Sequence, residues 1–409
     1  MMFSKIQYSL ALLSLCAASP AFARPESTTG FPLGEKSRVH TMLDLGVGYD
    51  SNRASNGAGT RIDDWRAQFL PAISVNVPGS SITLDALAQL SIQTYFGTNA
   101  LLASDAFVGG NVNISFTAGG GDSVVGFELT EGLFRTPSFL SVDQEGIGTI
   151  GVEEISFLQW YNRTEANMVL RPGGGALEFR IGYGNELRLF DELAEAQKHQ
   201  ALFEAKLRFL PKTAITFNAD LGFYSEDKDY KANPYNLTVG LLGQVTQGLT
   251  TVVKVGYGDT LTYLRGESFF GATSPNNIRS VIVTLRLEYT FDSGTSLTAG
   301  YDRVMRQAIG VGTGYAVDAP YLKAQVEIGE RFTLAALGRI EFRTFAGPAD
   351  RSSKVYIADL RADYWFFDFL RGGVAYQMLS QDSDAGVVIG APLPEATRHQ
   401  VLLTMGLYY

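Results

Sequence analysis

Runs of about ten residues, in which apolar side chains occupy every second position, recur along the whole chain. Small, polar or charged side chains fill the positions between them, so each run predicts a β-strand with one apolar and one polar face. We call each set of alternate positions on a strand a parity. Three examples are Leu43, Leu45, Val47 and Tyr49 alternating with Asp44, Gly46, Gly48 and Asp50; Trp65, Ala67, Phe69, Ile73, Val75 and Val77 alternating with Arg66, Gln68, Ser74 and Asn76; and Ile82, Leu84, Ala86, Ala88, Leu90 and Ile92 alternating with Thr83, Asp85, Gln89, Ser91 and Gln93.

Eighteen candidate strands follow from this pattern, and the connections between them alternate in length. The strands are centred near residues 45, 71, 87, 111, 129, 164, 183, 205, 219, 240, 254, 285, 300, 325, 338, 361, 376 and 403. Every second connection is tight: Pro78-Gly79-Ser80, Gly119-Gly120-Gly121, Pro172-Gly173-Gly174, Pro211-Lys212-Thr213, Gln247-Gly248, Asp292-Ser293-Gly294, Gly329-Glu330 and Phe367-Asp368. The others are longer polar stretches, at 51–64, 96–104, 136–153, 191–198, 225–233, 259–277, 307–319, 345–353 and 380–396.

This alternation of connection lengths is typical of outer-membrane barrels, which have tight periplasmic turns and longer extracellular loops. No uninterrupted apolar stretch after residue 23 approaches the roughly 20 residues that a transmembrane helix needs. In hydrocarbon an unpaired backbone amide is costly, so strands cross a membrane only as a closed cylinder without edges. We therefore predict an all-β fold, a transmembrane antiparallel up-and-down β-barrel of about 18 strands with both termini on the periplasmic side.

The ends of the chain and its charge set the domain organisation. Residues 1–23 are predicted to be a secretory signal peptide, with Lys5 in the positive segment, an apolar run from Leu10 to Ala18, and the cleavage site Ala21-Phe22-Ala23. Residues 24–38 form a short periplasmic segment, and residues 39–409 form the barrel. Cleavage leaves 32 basic and 42 acidic side chains, which disfavours nucleic acid as a partner. It also removes the sole cysteine, Cys16, so no disulfide framework holds the fold.

Aromatic residues gather near the predicted ends of the strands, where amphipathic rings suit the depth of lipid headgroups. On the loop side these are Tyr49, Trp65, Phe96, Trp160, Tyr235, Tyr257 and Tyr301, and on the turn side Phe116, Phe209, Phe291, Phe332 and Phe366. The last strand, which ends at Tyr409, resembles the terminal assembly signal of outer-membrane barrels. That signal more often ends in Phe and has glycine at the position of Thr404.

The alternation places one set of charged side chains on the inner face near mid-height, as candidates to line a pore. They are Arg163, Glu165, Arg180, Glu186, Arg188, Glu204, Lys206, Arg208, Arg286, Glu288, Lys323, Glu327, Arg339, Glu341, Arg343, Arg361 and Asp363. Opposed ladders of basic and acidic residues would set a transverse field that selects permeants. Alternatively, residues of opposite charge pair with neighbours on adjacent strands and neutralise one another on a wall that faces water.

The sequence predicts no catalytic, cofactor or metal site. The three histidines, His40, His199 and His399, are far apart, and no phosphate-binding loop, Cys/His cluster or calcium loop occurs. A hydrolase at the rim would need a histidine beside a nucleophile. His199 with Asp191 or Ser225 could be assigned this role, but their spacing does not support it.

Several phrases resemble the beta-barrel porin 2 family of outer-membrane proteins. They are Gly48-Tyr49-Asp50-Ser51-Asn52, the segment Arg208-Phe209-Leu210-Pro211-Lys212-Thr213, and Gly240-Leu241-Leu242-Gly243-Gln244-Val245-Thr246 followed by Gly256-Tyr257. The resemblance spans most of the chain after residue 23. It implies an outer-membrane passage, since members of this family are often associated with exopolysaccharide export. It assigns no binding residue.

The resulting hypothesis is a porin-like channel that is exported through its signal peptide and integrated into the outer membrane of a Gram-negative-type cell. It would pass hydrophilic solutes or an exopolysaccharide. Its partners would be outer-membrane lipid, lipopolysaccharide and, during insertion, the barrel-assembly machinery; the oligomeric state stays open. The alternative is a non-conducting barrel whose surface loops bind a partner or polymer, with the lumen plugged by an infolded loop at 136–153 or 259–277.

Overall fold

The computed structural model describes residues 30–34, 36–51, 63–96, 107–120, 123–136, 159–190, 195–226, 230–264, 277–308, 313–346, 351–383 and 396–409. The predicted signal peptide and most of the two candidate plug loops lie outside these residues. No helix in the described part of the chain is long and apolar enough to cross a membrane.

Eighteen long strands form one antiparallel sheet. They are β1 (Arg38–Asp50), β2 (Asp64–Val77), β3 (Ile82–Tyr95), β4 (Phe107–Ala118), β5 (Val125–Thr136), β6 (Gln159–Leu170), β7 (Leu177–Phe190), β8 (Ala196–Leu210), β9 (Thr213–Glu226), β10 (Tyr235–Gln244), β11 (Leu249–Asp259), β12 (Arg279–Thr290), β13 (Ser296–Ala308), β14 (Thr313–Ile328), β15 (Phe332–Phe345), β16 (Arg351–Phe367), β17 (Leu370–Ser383) and β18 (Ala396–Tyr408). Each strand pairs with the next along the chain, and β18 pairs with β1. The sheet is therefore a closed up-and-down barrel, and every predicted strand centre lies within one observed strand.

Three short strands extend this sheet. Phe31–Pro32 pairs with the beginning of β1. Tyr230–Ala232 pairs with the end of β9 and with Thr262–Leu264, so two connections continue the ladder beyond the long strands. The segment 24–38, predicted to be a short periplasmic segment, thus includes one short strand that pairs with the barrel.

The connections define two ends of the barrel. The turn end has tight connections, at 78–81, 119–124, 171–176, 211–212, 245–248, 291–295, 329–331 and 368–369. The loop end has most of the longer ones, as predicted, but those at 191–195, 309–312 and 346–350 are also short. The alternation of apolar and polar residues stops there, but the backbone pairing of the strands continues. For example, Tyr315, which is inside the predicted loop 307–319, pairs with Arg306 on β13.

Contacts between strands that are not neighbours identify the inner face, because side chains converge on the concave side of a closed sheet. Arg180 on β7 reaches across β6 to Glu128 on β5, with 3.2 Å between Nη2 and Oε2. Arg371 on β17 reaches across β18 to Asp44 on β1, with 3.1 Å between Nη2 and Oδ1. The polar parity therefore points into the barrel.

The outer face is largely apolar and exposed. Val47, Phe223, Val239 and Leu403 illustrate it, with exposed fractions of 54%, 56%, 55% and 60%. A folded protein in water would not leave a continuous apolar belt of this size uncovered. The outer surface is therefore suited to a hydrocarbon environment.

The barrel closes where the two ends of the chain meet. Thr41 and Tyr409 exchange both backbone hydrogen bonds, at 2.8 and 2.9 Å, beside the register of Met42 with Tyr408. Gly48 lies on the same seam, and a Cβ atom added there would be 2.4 Å from the carbonyl oxygen of Val401. Glycine at this inner position therefore permits the close approach of β18.

Candidate functional site: the inner wall

All seventeen charged residues predicted to line a pore lie on the inner parity of described strands. They fall mainly in two sectors of the wall, one on β6 to β8 and the other on β14 to β16, with Arg286 and Glu288 on β12 between them. Their position follows from the alternation alone. Their part in permeation belongs to the function proposed below.

In the first sector, opposite charges pair over short distances along the wall. Arg163 and Glu165 are neighbours on β6, with 3.4 Å between Nη2 and Oε2. Glu178 on β7 accepts from Arg171 Nε at 3.0 Å, and Arg208 Nη2 lies 3.9 Å from the same carboxylate. Arg163 is thus balanced within the wall itself, whereas Arg171 and Arg208 share the single carboxylate of Glu178.

In the second sector a single carboxylate joins three arginines. Glu341 on β15 is fully buried, and its oxygens lie 2.9 Å from Arg339 Nε, 2.7 Å from Arg343 Nη2 and 3.8 Å from Arg306 Nη1. Arg339 also lies 3.8 Å from Asp302 on β13. Charge-assisted hydrogen bonds fix the directions of the Arg339 and Arg343 guanidiniums, and Arg306 adds a longer ion pair.

Further charge pairs hold the seam between β17, β18 and β1. Asp50 accepts from Arg398 Nε and Gln400 Nε2, both at 2.7 Å, and Asp44 accepts from Arg371 Nη2 at 3.1 Å and from the Tyr408 hydroxyl at 2.8 Å. None of these residues was among the predicted set. Their inner parity was readable in the first and last strands, but their partners are more than three hundred residues away in sequence.

Four of the inner arginines also stack on tyrosine rings. The guanidinium carbon of Arg188 lies 5.1 Å from the ring centre of Tyr161, and that of Arg371 lies 5.1 Å from Tyr408. The other two pairs are Arg339 over Tyr321 and Arg343 over Tyr315, each at 5.9 Å. Such cation–π contacts stabilise the position of a guanidinium beside the wall.

Between the charged sectors the inner wall is mainly amide and hydroxyl. On β3 and β4, Asn111 Nδ2 donates to Gln89 Oε1 at 2.9 Å, and Asn113 Nδ2 donates to Asn111 Oδ1 at 3.3 Å. On β9 and β10, Asn218 Nδ2 donates to Thr238 Oγ1 at 3.2 Å. These groups offer both donors and acceptors, which suits uncharged polar solutes.

The pairing bears on the two interpretations of the inward charges. The pairs described here join residues on the same strand or on strands at most two apart. This arrangement favours the interpretation in which inward charges neutralise their neighbours over the one in which separate basic and acidic ladders face each other.

The structure does not assemble the rim hydrolase arrangement. His199 lies on the outer parity of β8, and its Nδ1 is 2.6 Å from the hydroxyl of Tyr183. Ser225 pairs with Gln197 rather than with His199, and Asp191 lies outside the described residues. Within the described part of the chain, no group of His, Cys, Asp or Glu could hold a metal ion.

Comparison with known proteins gives structural likeness alone. No protein-family model matches the chain, and no curated protein sequence matches it. The structure is similar to that of OccAB4 from Acinetobacter baumannii, at 9% identity and a TM-score of 0.48, over 91% of this chain and 98% of that one. It is also similar to the outer membrane protein OpdK from Pseudomonas aeruginosa, at 14% identity and a TM-score of 0.46, over 91% and 98% of the two chains. The resemblance to the beta-barrel porin 2 family stays a prediction.

Proposed function

We propose that this chain is an integral channel of the outer membrane that passes hydrophilic solutes through its barrel. One observation carries the proposal: the sheet is closed, apolar on its outer face, and polar on its inner face. Such a surface fits lipid outside and water inside. At eighteen strands, side chains do not fill a barrel, and an aqueous passage results.

The chemistry of the wall supports a permeant that is uncharged or zwitterionic. Local pairs such as Arg163 with Glu165 leave little net field along the passage. The amide groups of Gln89, Asn111 and Asn218 and the hydroxyl of Thr238 can exchange hydrogen bonds with a sugar. They also favour a second candidate, an exopolysaccharide, which the family resemblance implies as cargo.

The surroundings of the barrel follow from the same proposal. Its outer face would contact outer-membrane lipid and lipopolysaccharide, with the loop end outside the cell and the turn end in the periplasm. Export would use residues 1–23 as a signal peptide. Insertion would use the barrel-assembly machinery, which would recognise the last strand. The chemistry of permeation requires no catalytic residue and no cofactor.

Conductance in a planar lipid bilayer tests the channel. We expect stable open steps, and a potassium-to-chloride permeability ratio within about twofold of one, because the inner wall balances its own charges. A reversal potential measured across a salt gradient gives this ratio. A correctly folded preparation that never conducts would contradict the channel and favour the loop-binding platform.

Swelling of proteoliposomes in sugar solutions separates the two permeants. Entry of monosaccharides and disaccharides with exclusion of longer oligosaccharides would identify a porin for small solutes. Equal entry of long oligosaccharides would support passage of a polymer.

A further inference from the structure

One stretch of the outer wall is polar at mid-height, within the apolar belt. Glu131 on β5 lies on the outer parity, between Leu129 and Leu133. Its register partners are Ile114 on β4 and Thr164 on β6. The carboxylate therefore belongs to the face that would meet lipid.

Two uncharged side chains on β6 donate to this carboxylate. Asn162 Nδ2 bonds to Glu131 Oε1, and Thr164 Oγ1 bonds to Glu131 Oε2. The row continues onto β7, where Asn185 pairs in register with Thr164 and with His199 on β8. The side-chain oxygen of Asn185 is buried and accepts no hydrogen bond. We define Glu131, Asn162, Thr164 and Asn185 as the lateral patch.

The lateral patch lies at mid-height on the wall. On the outer parity of β5, Glu131 is four residues from Phe127 near the turn end and four from Arg135 near the loop end. Arg135 stacks on Trp160 there, with 5.2 Å between its guanidinium carbon and the ring centre. Aromatic rings mark the two edges of the apolar belt, so Glu131 is at the depth where lipid offers no hydrogen bond.

Another carboxylate on the outer parity has a positively charged partner, unlike Glu131. Asp318 on β14 has Arg303 Nη1 at 3.2 Å and also accepts from the hydroxyl of Tyr301. The two side chains that donate to Glu131 carry no charge. An ionisable residue held in this way at the centre of a membrane face indicates a functional contact.

We propose that the lateral patch binds the same patch on a second copy of this chain. The Glu131 carboxylate can accept more hydrogen bonds than the two it receives from Asn162 and Thr164, and Asn162 Nδ2 has a second hydrogen. Asn162 of one copy can therefore donate to Glu131 of another, as an interface between identical surfaces requires. Ala166, two residues from Thr164 on the outer parity of β6, adds little bulk next to the lateral patch. Acyl chains supply no donors, so lipid would leave the Glu131 carboxylate with only the two hydrogen bonds from Asn162 and Thr164.

Site-specific crosslinking in lipid vesicles tests the contact directly. With Cys16→Ser as the background, Ala166→Cys places a thiol beside the lateral patch, and Leu360→Cys places one at a similar depth on β16. A short bismaleimide should join Ala166→Cys chains into covalent dimers several-fold more efficiently than Leu360→Cys chains. Equal yields at the two positions would overturn the proposal.

The stoichiometry of single particles in nanodiscs gives a second test. Wild-type particles should contain more than one chain. Glu131→Leu should reduce them to single chains, while Glu131→Gln, which keeps hydrogen-bonding capacity, should retain the assembly. Single chains in the wild type, or unchanged assembly in folded Glu131→Leu, would overturn the interface; if that variant does not fold, the crosslinking yields decide.

This inference uses the membrane location of the proposed function but not the channel activity. A folded Glu131→Leu monomer that conducts like one wild-type barrel would keep the channel and support the interface. Wild-type assemblies that never conduct would refute the channel alone, and conducting wild-type monomers would refute the interface alone.

Discussion

Replacing Asp50 with alanine is expected to destabilise the closed barrel by about 3 to 5 kcal/mol, because the change leaves a buried positive charge without its partner. Asp50 is fully buried on β1, and Arg398 on β18 is only 4% exposed. Arg398 Nε and Gln400 Nε2 both donate to the Asp50 carboxylate at 2.7 Å. The substitution therefore acts on the pairing between the first and last strands, where the barrel closes.

The free energy of unfolding in lipid vesicles, from guanidinium titration, measures this loss. The matched control is Asp85→Ala: Asp85 is an exposed inner-parity carboxylate on β3 that bonds to Asn76 near the turn end. We expect the control to cost less than about 1 kcal/mol. Equal unfolding midpoints for Asp50→Ala and wild type would show that the seam does not depend on this ion pair.

Replacing Glu341 with alanine is expected to shift the channel several-fold towards anions. The change removes the carboxylate that Arg339, Arg343 and Arg306 share, so the inner wall gains a local excess of positive charge. Uncompensated arginines attract anions to a pore. The loss of a buried partner should also lower stability by about 3 to 5 kcal/mol.

The reversal potential across a potassium chloride gradient reports this change in selectivity. Glu341→Gln removes the charge but keeps the side-chain volume, so it should shift selectivity in the same direction. Asp382→Asn is the matched control, because it removes one charge from the exposed outer parity of β17 and should leave the reversal potential unchanged. If Glu341→Gln behaves like this control, the inner wall around Glu341 does not contact the ion path.

The strands were predictable because alternation is a local consequence of an apolar face and a polar face on one strand. The pattern near residue 300, for example, corresponds to the strand Ser296–Ala308. The loop-end boundaries were less predictable. Beyond the apolar belt a strand no longer needs apolar residues on one face, so Thr313 to Ala319 has the composition of a loop while its backbone pairs with β13.

The inner wall was predictable in position but not in its contacts. Parity placed Glu341 and Arg339 inside, whereas the convergence of three arginines on Glu341 depends on side-chain directions across β13 to β15. The pairing of Asp50 with Arg398 depends on closure of the sheet, which no local pattern encodes. Glu131 had a readable signal, because it interrupts the apolar parity of Val125, Phe127 and Leu129.

Thiol accessibility on one strand tests most directly whether this barrel separates water from lipid. Thr238 on β10 is on the inner parity, and the adjacent Val239 is on the outer parity and 55% exposed. In vesicles, with Cys16→Ser as the background, Thr238→Cys should react readily with a charged, membrane-impermeant maleimide, and Val239→Cys should react only after unfolding in detergent. Equal labelling of the two positions in intact vesicles, or a protein that stays soluble without detergent, would contradict a membrane-spanning channel.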